Sequence, residues 1–426
     1  MRIFSDLHLH SKYSRGCSKN LNLENLVYYS QLKGLDLLIT GDFTHPLWFK
    51  EIKEKLIEVN QGVFQLNPKI SNKINHFNKD KNVYFLIGGE LSSIFKRGNN
   101  VYRIHYLVIL PNFEIAEKFN KKLSLYSNLA SDGRPILGLD VLDVLKILLD
   151  IYQEPIFIPA HIWTPWFSLY GSMSGFDSIY EAFNDYLNYI TAVETGLSSD
   201  PNMNWRLPEL DNFSIVSFSD SHSPYPHRIG REATVFEIEH LTYKNIYQAL
   251  KNPNEKNKIL MTIEFFPEEG KYHYDGHRTC QIRFDPEESK ANNYICPVCN
   301  KQLTIGVMSR IEKLAKRPKD FIDPKRPPFK KTPPLSEIIA QIENLTPESK
   351  KIEEIYKNIV SKFGNEFNIL IGEFNKEEMK FYYPKLAKAL EKIEKGEVVL
   401  EPGYDGVYGK VIIKLDEEIK EKRSLF

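Results

Sequence analysis

The sequence has little cysteine, no net charge and no long apolar run. Its 426 residues include four cysteines, and Lys plus Arg equal Asp plus Glu at 56 each. No apolar run approaches the ~18 residues of a membrane span, and no secretory signal pattern opens the chain. We therefore expect a cytoplasmic protein with no membrane contact. Because the formal charge is zero, net charge alone does not indicate a nucleic-acid partner.

The chain also lacks internal repeats and low-complexity tracts. Its hydrophobic content of 42% is ample for packed cores, and its length predicts two or three domains. The composition therefore favours a globular protein of several parts.

Metal-binding side chains follow, or lie within, successive segments that read as buried strands of the first 222 residues. A lone His or Asp after a strand is more often a cap or turn residue, so the joint pattern carries the argument. In chain order the candidates are His8, His10, Asp42, Glu90, His105, His161, Glu194, Asp220 and His222. A β/α barrel brings its strand ends to one rim, so the pattern predicts a closed barrel with its chemistry there.

Two pairs at alternate positions strengthen the metal interpretation. Alternate residues of a strand point the same way, so His8 and His10 can reach one ion. Asp220 and His222 have the same spacing. With carboxylates nearby, such pairs suit a multinuclear centre of divalent ions, and we expect zinc there, with Mg²⁺ or Mn²⁺ as alternatives.

The cysteines predict a second metal site. Cys17 stands alone, but fifteen residues separate the pair His277 and Cys280 from the pair Cys296 and Cys299. Two short chelate pairs separated by such a loop are typical of a closed tetrahedral zinc site. His273 is a weaker candidate for the fourth ligand. Because the surrounding segment is short, zinc would supply much of its folding free energy.

A basic, proline-rich passage follows. From residue 301 to 334 ten Lys or Arg face three acids, an excess of seven, whereas residues 335–426 hold fifteen bases and eighteen acids. From charge alone, two interpretations of this block are equal: it contacts DNA phosphates, or it is a solvated linker. The residues expected to contact phosphate are Arg310, Lys313, Lys316 and Arg317. Prolines between 318 and 334 predict extended backbone.

Helical periodicity returns beyond residue 334. It covers Leu335 to Leu345, Pro347 to Phe363 and Lys376 to Lys395, and apolar segments flanking Pro402 to Gly406 predict a hairpin. We therefore divide the chain into a metal-dependent barrel (1–265), a zinc module (270–310), a basic linker (311–334) and a C-terminal helical domain with a hairpin (335–426).

The motifs Asp6 to Ser11, Gly88 to Glu90, Pro159 to His161 and Ser219 to His222 resemble those of the PHP superfamily of metal-dependent phosphoesterases. The resemblance implies a distorted seven-stranded β/α barrel with a trinuclear metal centre. Two positions depart from the superfamily pattern. Arg15 stands where an Asp commonly follows the first motif, and Thr40-Gly41-Asp42 replaces a Thr-Asp-His, which leaves Asp42 and His45 as alternative ligands.

The whole chain resembles the archaeal endonuclease Q family. The resemblance rests on the long motifs at 40–46 and 160–167, the His/Cys pairs and the ending at 401–409. It implies a DNA repair endonuclease that cuts the phosphodiester 5′ of uracil, hypoxanthine, xanthine and abasic sites in DNA. It also implies association with the sliding clamp, for which Leu425 and Phe426 in the tail 421–426 are the candidate anchors. Because the tail matches only the start of a clamp-binding peptide, we expect weak binding at best, and a frayed end is an equal alternative.

Aromatic residues beside His161 are candidates for stacking on an everted base. They are Trp163, Trp166, Phe167 and Tyr170. Two other functions stay open: a small-molecule phosphomonoesterase of the histidinol phosphatase kind, and a non-catalytic DNA-binding module.

Overall fold

The computed structural model describes residues 1–415, so the clamp-binding prediction for 421–426 lies outside the described residues. Within 1–415, no helix combines the length and apolarity that crossing a membrane needs.

The first 265 residues form twelve strands and eight α-helices, and several strands follow one another directly. The strands are β1 (Arg2–Asp6), β2 (Leu37–Ile39), β3 (Leu56–Asn60), β4 (Val63–Leu66), β5 (Tyr84–Arg97), β6 (Asn100–Leu110), β7 (Ile136–Leu137), β8 (Ile156–Pro159), β9 (Ala192–Glu194), β10 (Ser214–Val216), β11 (Ala233–Glu237) and β12 (Lys258–Glu264). The helices are α1 (Leu23–Lys33), α2 (Pro46–Lys55), α3 (Pro68–Ser71), α4 (Phe113–Leu123), α5 (Val141–Ile151), α6 (Ile179–Phe183), α7 (Pro201–Trp205) and α8 (Tyr243–Lys251).

The central sheet is mixed. Its strands β11, β1, β2 and β5 lie side by side; β1, β2 and β5 are parallel, and β11 is antiparallel to β1. Strand β6 runs antiparallel to both β5 and β8, and β9 and β10 form a separate parallel pair. The mixed α/β fold is thus confirmed, but its strands are not all parallel. The closed barrel stays a prediction.

Local signals explain where the helices begin and end. The side chain of Asn22 accepts a hydrogen bond from the Asn25 amide at the start of α1, and Gly34 ends that helix with φ of 101°. Glycine reaches this left-handed region without steric cost. Helix α1 then buries Leu23, Leu26 and Val27 against the sheet, which fixes β1 and the residues after it.

The segment around the cysteines is small and regular. It contains β13 (Asp275–His277), antiparallel to β14 (Ile282–Phe284), then α9 (Pro286–Ala291) and α10 (Val307–Leu314). The passage after α10 has no helix but contains turns at 319–320 and 324–325, so the extended backbone expected from the prolines is found only in part. Its strand β15 (Phe329–Lys331) joins the central sheet in parallel with β12. Arg326 donates to the carbonyl of Leu210, so this passage is tied to the body of the protein.

The C-terminal region is helical with a second core. Its elements are α11 (Leu335–Glu343), α12 (Lys350–Phe363), α13 (Glu366–Ile371), α14 (Lys376–Tyr382), α15 (Pro384–Glu394), β16 (Val399–Glu401) and β17 (Lys410–Ile412). The antiparallel pairing of β16 and β17 confirms the hairpin. The single helix expected from Lys376 to Lys395 is wrong, because Pro384 has no amide hydrogen to continue α14 and begins α15 instead.

Contacts at several places join the C-terminal region to the rest, among them a buried ion pair and a contact of the hairpin loop. The ammonium of Lys33 lies 2.7 Å from Glu366 Oε1, with both side chains fully buried. The hairpin loop packs on the cysteine segment, where Thr304 donates to Asp405 Oδ1 at 2.7 Å. The predicted helical domain and zinc segment are therefore in direct contact.

Candidate metal centres

The strand ends bring two groups of ligand atoms together beside the central sheet. His8, His10, Glu90 and Asp220 form one group, and Glu90, His105 and His161 form the other, with the ligand atoms of each group within 4.8 Å of one another. Glu90 belongs to both. These residues follow or lie in β1, β5, β6, β8 and β10, as the sequence pattern predicts.

Glu90 has the geometry of a bridging carboxylate. Its side chain is fully buried, Oε1 lies 2.7 Å from His105 Nδ1 and 3.0 Å from His161 Nε2, and Oε2 lies 3.5 Å from His10 Nε2. A carboxylate between two groups of imidazoles can neutralise two cations at once. The arrangement therefore suits a centre with more than one ion.

His8 supplies the test of whether these residues fit a metal. Its Nε2 atom is buried and has no hydrogen-bond partner, yet it lies 3.4 Å from Asp220 Oδ1 and 3.6 Å from Glu90 Oε1. A buried polar atom without a partner costs free energy unless a ligand satisfies it. Imidazole nitrogens and carboxylate oxygens together suit zinc or manganese. The donor set fits a divalent ion.

Glu194 and Asp42 lie behind the histidines and outside both groups. Glu194 Oε1 is 2.9 Å from His8 Nδ1, and Asp42 Oδ1 is 3.1 Å from His10 Nδ1. A carboxylate on the far nitrogen of a ligand imidazole fixes its tautomer and ring orientation. This geometry gives both acids an orienting position, and direct metal ligation by either stays a prediction.

Two further candidates border the centre. The side chain of His222 is 38% exposed, and its ring lies 4.6 Å from that of His10, outside both ligand groups. His45, the alternative to Asp42, is buried and stacks on Tyr13 with ring centroids 4.4 Å apart. The ligand roles of both histidines stay predictions.

The electrostatics keep the carboxylates charged. Burial opposes ionisation of Glu90, but His105, Arg134 and His8 hold the pKa of this carboxyl well below its usual range. Burial lowers the pKa of His105 to about 4, so its imidazole is neutral near pH 7 and keeps a lone pair. Burial opposes charge on His8, His10 and His161, but the neighbouring carboxylates raise the pKa of each, that of His10 to about 9. A metal ion must therefore displace protons from these three imidazoles, and metal binding will weaken as the pH falls.

Three residues of the centre have strained backbone. Asp42, His161 and Asp220 adopt φ values of 41°, 31° and 48°. Residues other than glycine rarely occupy this left-handed region, and each such residue stores about 1–3 kcal/mol of strain. The surrounding hydrogen bonds hold them there; Ser11, for example, donates its backbone amide to Asp42 Oδ2 at 2.6 Å.

Sequence reasoning missed Gly133 and Arg134. Arg134 Nη1 lies 2.7 Å from Glu90 Oε2, and a Cβ at Gly133 would lie 2.3 Å from Asp42 Oδ2. Both residues belong to a loop without a metal-binding motif. The turn residues Asp132 to Pro135 indicate a loop, but no local signal places it against Glu90.

The cysteine segment forms a separate metal site. The ligand atoms of His277, Cys280, Cys296 and Cys299 lie within 4.8 Å of one another. One nitrogen and three sulfur donors fit tetrahedral zinc. His273 is 5% exposed and belongs to none of the ligand groups found in residues 1–415. The group therefore contains His277 and not His273.

Replacing Cys296 with serine is expected to remove about one zinc per chain and to loosen residues 270–310, because structural zinc supplies folding free energy. Zinc analysis and limited proteolysis would measure both effects. Cys17→Ser is the matched control, since Cys17 lies outside the group. Full zinc content and full protease resistance in the Cys296 variant would contradict the assignment.

The residues expected to contact DNA divide by exposure. Trp163 and Tyr170 are fully buried, with ring centroids 4.9 Å apart, so neither offers a free face to a base. Trp166 and Phe167 are partly exposed. The ring of Phe167 lies 4.7 Å from that of His105. Base stacking by Trp166 and Phe167 stays a prediction.

The basic residues divide in the same way. Arg310 is 5% exposed and donates to the carbonyls of Tyr170 and Phe176 at 2.7 and 2.8 Å. Its guanidinium thus holds α10 against the aromatic loop. Arg317 is paired with Asp211. Lys313 and Lys316 are exposed, and the Lys313 ammonium lies 3.7 Å from Asp177 Oδ2. Phosphate contact by this block stays a prediction, and the two lysines are its accessible members.

Comparison with known proteins gives matches over part and over all of the chain. The model of the MJ0043 C-terminal domain family matches residues 334–397. The uncharacterized protein MJ0043 of Methanocaldococcus jannaschii is 35% identical over 254 residues, 59% of this chain and 31% of its own length. The chain thus spans about a third of MJ0043. The uncharacterized protein YqxK of Bacillus subtilis is 27% identical over 96% of this chain and 99% of its own.

Solved structures cover the full length. The crystal structure of the lesion-specific endonuclease PfuEndoQ from Pyrococcus furiosus matches with a TM-score of 0.84 and 30% identity over 100% of both chains. The chain belongs to the endonuclease Q family. A crystal structure of endonuclease Q with a 27-mer duplex substrate carrying an abasic lesion at the active site matches equally well, with a TM-score of 0.84 and 30% identity over 98% of this chain and 99% of the other.

The likeness to endonuclease Q includes the parts of the chain that hold the ligand groups. The structural likeness extends over the central sheet, the cysteine segment and the C-terminal helices together. The buried His, Glu and Asp groups indicate a metal-dependent active site in this family member.

Proposed function

We propose that this protein is a metal-dependent DNA repair endonuclease that cuts the phosphodiester 5′ of deaminated bases (uracil, hypoxanthine and xanthine) and of abasic sites. The observation that carries the proposal is the full-length likeness to PfuEndoQ, described as lesion-specific. A second endonuclease Q structure holds a duplex with an abasic lesion at its active site. The ligand groups of this chain supply the matching chemistry.

The proposed roles follow the geometry of the centre. His8, His10, Glu90 and Asp220 would hold one ion and Glu90, His105 and His161 a second. Divalent ions in such a site lower the pKa of water and stabilise negative charge on phosphate oxygens. Glu194 and Asp42 orient His8 and His10 through the Nδ1 atoms.

Lesion recognition is assigned to the aromatic rim. Phe167 adopts φ of 59°, a strained value for a bulky residue, and its backbone amide donates to the Ser174 hydroxyl oxygen at 3.2 Å. The guanidinium of Arg103 lies 5.9 Å from the Phe167 ring. A ring held in this way beside His105 can stack on an everted base, while the phosphodiester lies at the ligand groups.

The remaining parts of the chain are proposed to hold the duplex. Lys313 and Lys316 would contact phosphates from α10 and the passage after it, next to the cysteine segment. Two observations support the proposed domain division: the helical region has its own core, and the family match begins at residue 334. The proposed domains are 1–265, 270–310, 311–334 and 335–426. Large accessory parts suit a polymeric substrate better than a small phosphate ester.

End-labelled duplexes test the function directly. Four duplexes would carry one uracil, one hypoxanthine, one abasic site or no lesion, and each would be incubated in Mg²⁺, Mn²⁺ or Zn²⁺. We expect one cut immediately 5′ of each lesion and an intact control duplex.

Two outcomes would favour the alternatives. Hydrolysis of nitrophenyl phosphate with every duplex intact would indicate a phosphomonoesterase. DNA binding without cutting, by a protein purified without metal in the ligand groups, would indicate a non-catalytic module.

A further inference from the structure

The loop of residues 127–135, between α4 and β7, places a cation at the metal-ligand groups. The Arg134 side chain is 28% exposed, and its Nη1 atom lies 2.7 Å from the fully buried Glu90. Arg134 is therefore open to solvent on one side and in contact with the proposed bridging carboxylate on the other.

The loop is fixed at both sides of Arg134. The Asp132 carboxylate accepts the backbone amides of Arg15 and Arg134 at 3.3 and 3.2 Å, and the Gly133 amide donates to the Tyr13 carbonyl. Gly133 approaches Asp42 so closely that a Cβ has no room. The guanidinium is thus positioned in advance, and little side-chain freedom would be lost when it binds a ligand.

The chemistry of arginine indicates what that ligand is. The bond to Glu90 uses Nη1, which leaves the other donors of a guanidinium fork that matches the oxygens of a phosphate. Arginine stays charged near neutral pH whatever its surroundings. The group is a permanent cation at the ligand groups.

We propose that Arg134 binds a non-bridging oxygen of the scissile phosphodiester, a role that rests on the proposed function. In hydrolysis, water forms the new bond to phosphorus, the bond from phosphorus to the 3′-oxygen breaks, and that oxygen takes a proton to leave as the 3′-hydroxyl. Negative charge grows on the non-bridging oxygens during this step, and a fixed guanidinium stabilises it.

The test compares Arg134→Gln, Arg134→Lys and the control Arg15→Gln. The substitution Arg15→Gln removes the same charge from the neighbouring loop, where the Arg15 side chain is 89% exposed and lies 3.6 Å from Asp132 Oδ2. Single-turnover rates would be measured on lesion duplex and on bis(nitrophenyl) phosphate, a phosphodiester without a base. We expect Arg134→Gln to be about 10²–10³-fold slower on both, Arg134→Lys to recover part of the loss, and Arg15→Gln to stay within about threefold of wild type.

Binding and metal content separate this role from a structural one. Duplex affinity of the metal-free protein would be measured against salt concentration, and the salt slope of Arg134→Gln should fall by about 0.9, the value for one lost phosphate contact. Bound metal, measured in the loaded proteins, should match wild type.

Wild-type rates in the Gln variant would overturn the proposal. Equal losses in the Gln and Lys variants would also overturn it if bound metal is lost or if the salt slope is unchanged. The activity of the wild-type protein on lesion duplex is a separate test of the proposed function. If the wild type hydrolyses only the small diester, the lesion specificity fails, and the ratio of variant to wild-type rates still decides the role of Arg134.

Discussion

Replacing Asp220 with asparagine is expected to slow cleavage of lesion duplex by about a thousandfold or more, because a charged ligand of the first group is lost. Asp220 Oδ1 lies 3.1 Å from His10 Nε2 and 3.4 Å from His8 Nε2. Asparagine tolerates the left-handed backbone at this position, so the fold should be kept. Single-turnover kinetics and metal analysis would measure the two effects.

Two comparisons sharpen that result. Glu194→Gln should cost less, about 10–100-fold, because Glu194 orients His8 from behind and is not in the ligand group. Asp143→Asn is the matched control, since Asp143 is exposed on α5 and belongs to none of the ligand groups found in residues 1–415. A near wild-type rate in Asp220→Asn would remove the first ligand group from the mechanism.

Replacing Lys33 with methionine is expected to destabilise the junction between the body and the C-terminal helices by about 3–5 kcal/mol. The substitution leaves the Glu366 carboxylate buried with only its remaining donors, the amide of Leu335 and the hydroxyl of Tyr356. An uncompensated buried charge is the reason for the large cost. Urea unfolding followed by tryptophan fluorescence, together with limited proteolysis near residue 334, would measure it.

A surface pair and a double variant are the controls. Lys50 has 75% of its side chain exposed and lies 3.9 Å from Glu54, so Lys50→Met should change stability by less than about 1 kcal/mol. Adding Glu366→Gln to Lys33→Met removes the unpaired charge and should restore part of the loss. Equal stability of Lys33→Met and wild type would show that the pair does not hold the junction.

The residues that the sequence identified are those with a periodic or spaced signal. The His8-x-His10 pair and the acids after the strands needed only the period of a β-strand and the convergence of strand ends. The cysteine site needed only the spacing of two chelate pairs. In each case a short stretch of the sequence contains both the ligand residue types and the spacing that brings them together.

The features that escaped prediction depend on contacts between distant segments. Arg134 is 44 residues from Glu90, and nothing near it in the sequence specifies that contact. The burial of Trp163 and Arg310 is likewise set by how the aromatic loop packs on α10. The antiparallel direction of β6, in contrast, does have a local signal in the sequence, because Gly98-Asn99 between β5 and β6 is a two-residue hairpin signal. That signal predicts the observed antiparallel pairing.

The left-handed backbone at Asp42, His161 and Asp220 has a consequence for engineering this protein. Each position could release strain by accepting a residue better suited to positive φ, with a gain of about 1 kcal/mol or more. A screen that rewards heat resistance alone would therefore collect substitutions at these positions and dismantle the centre. Useful thermostable variants must come from libraries in which these codons are held constant.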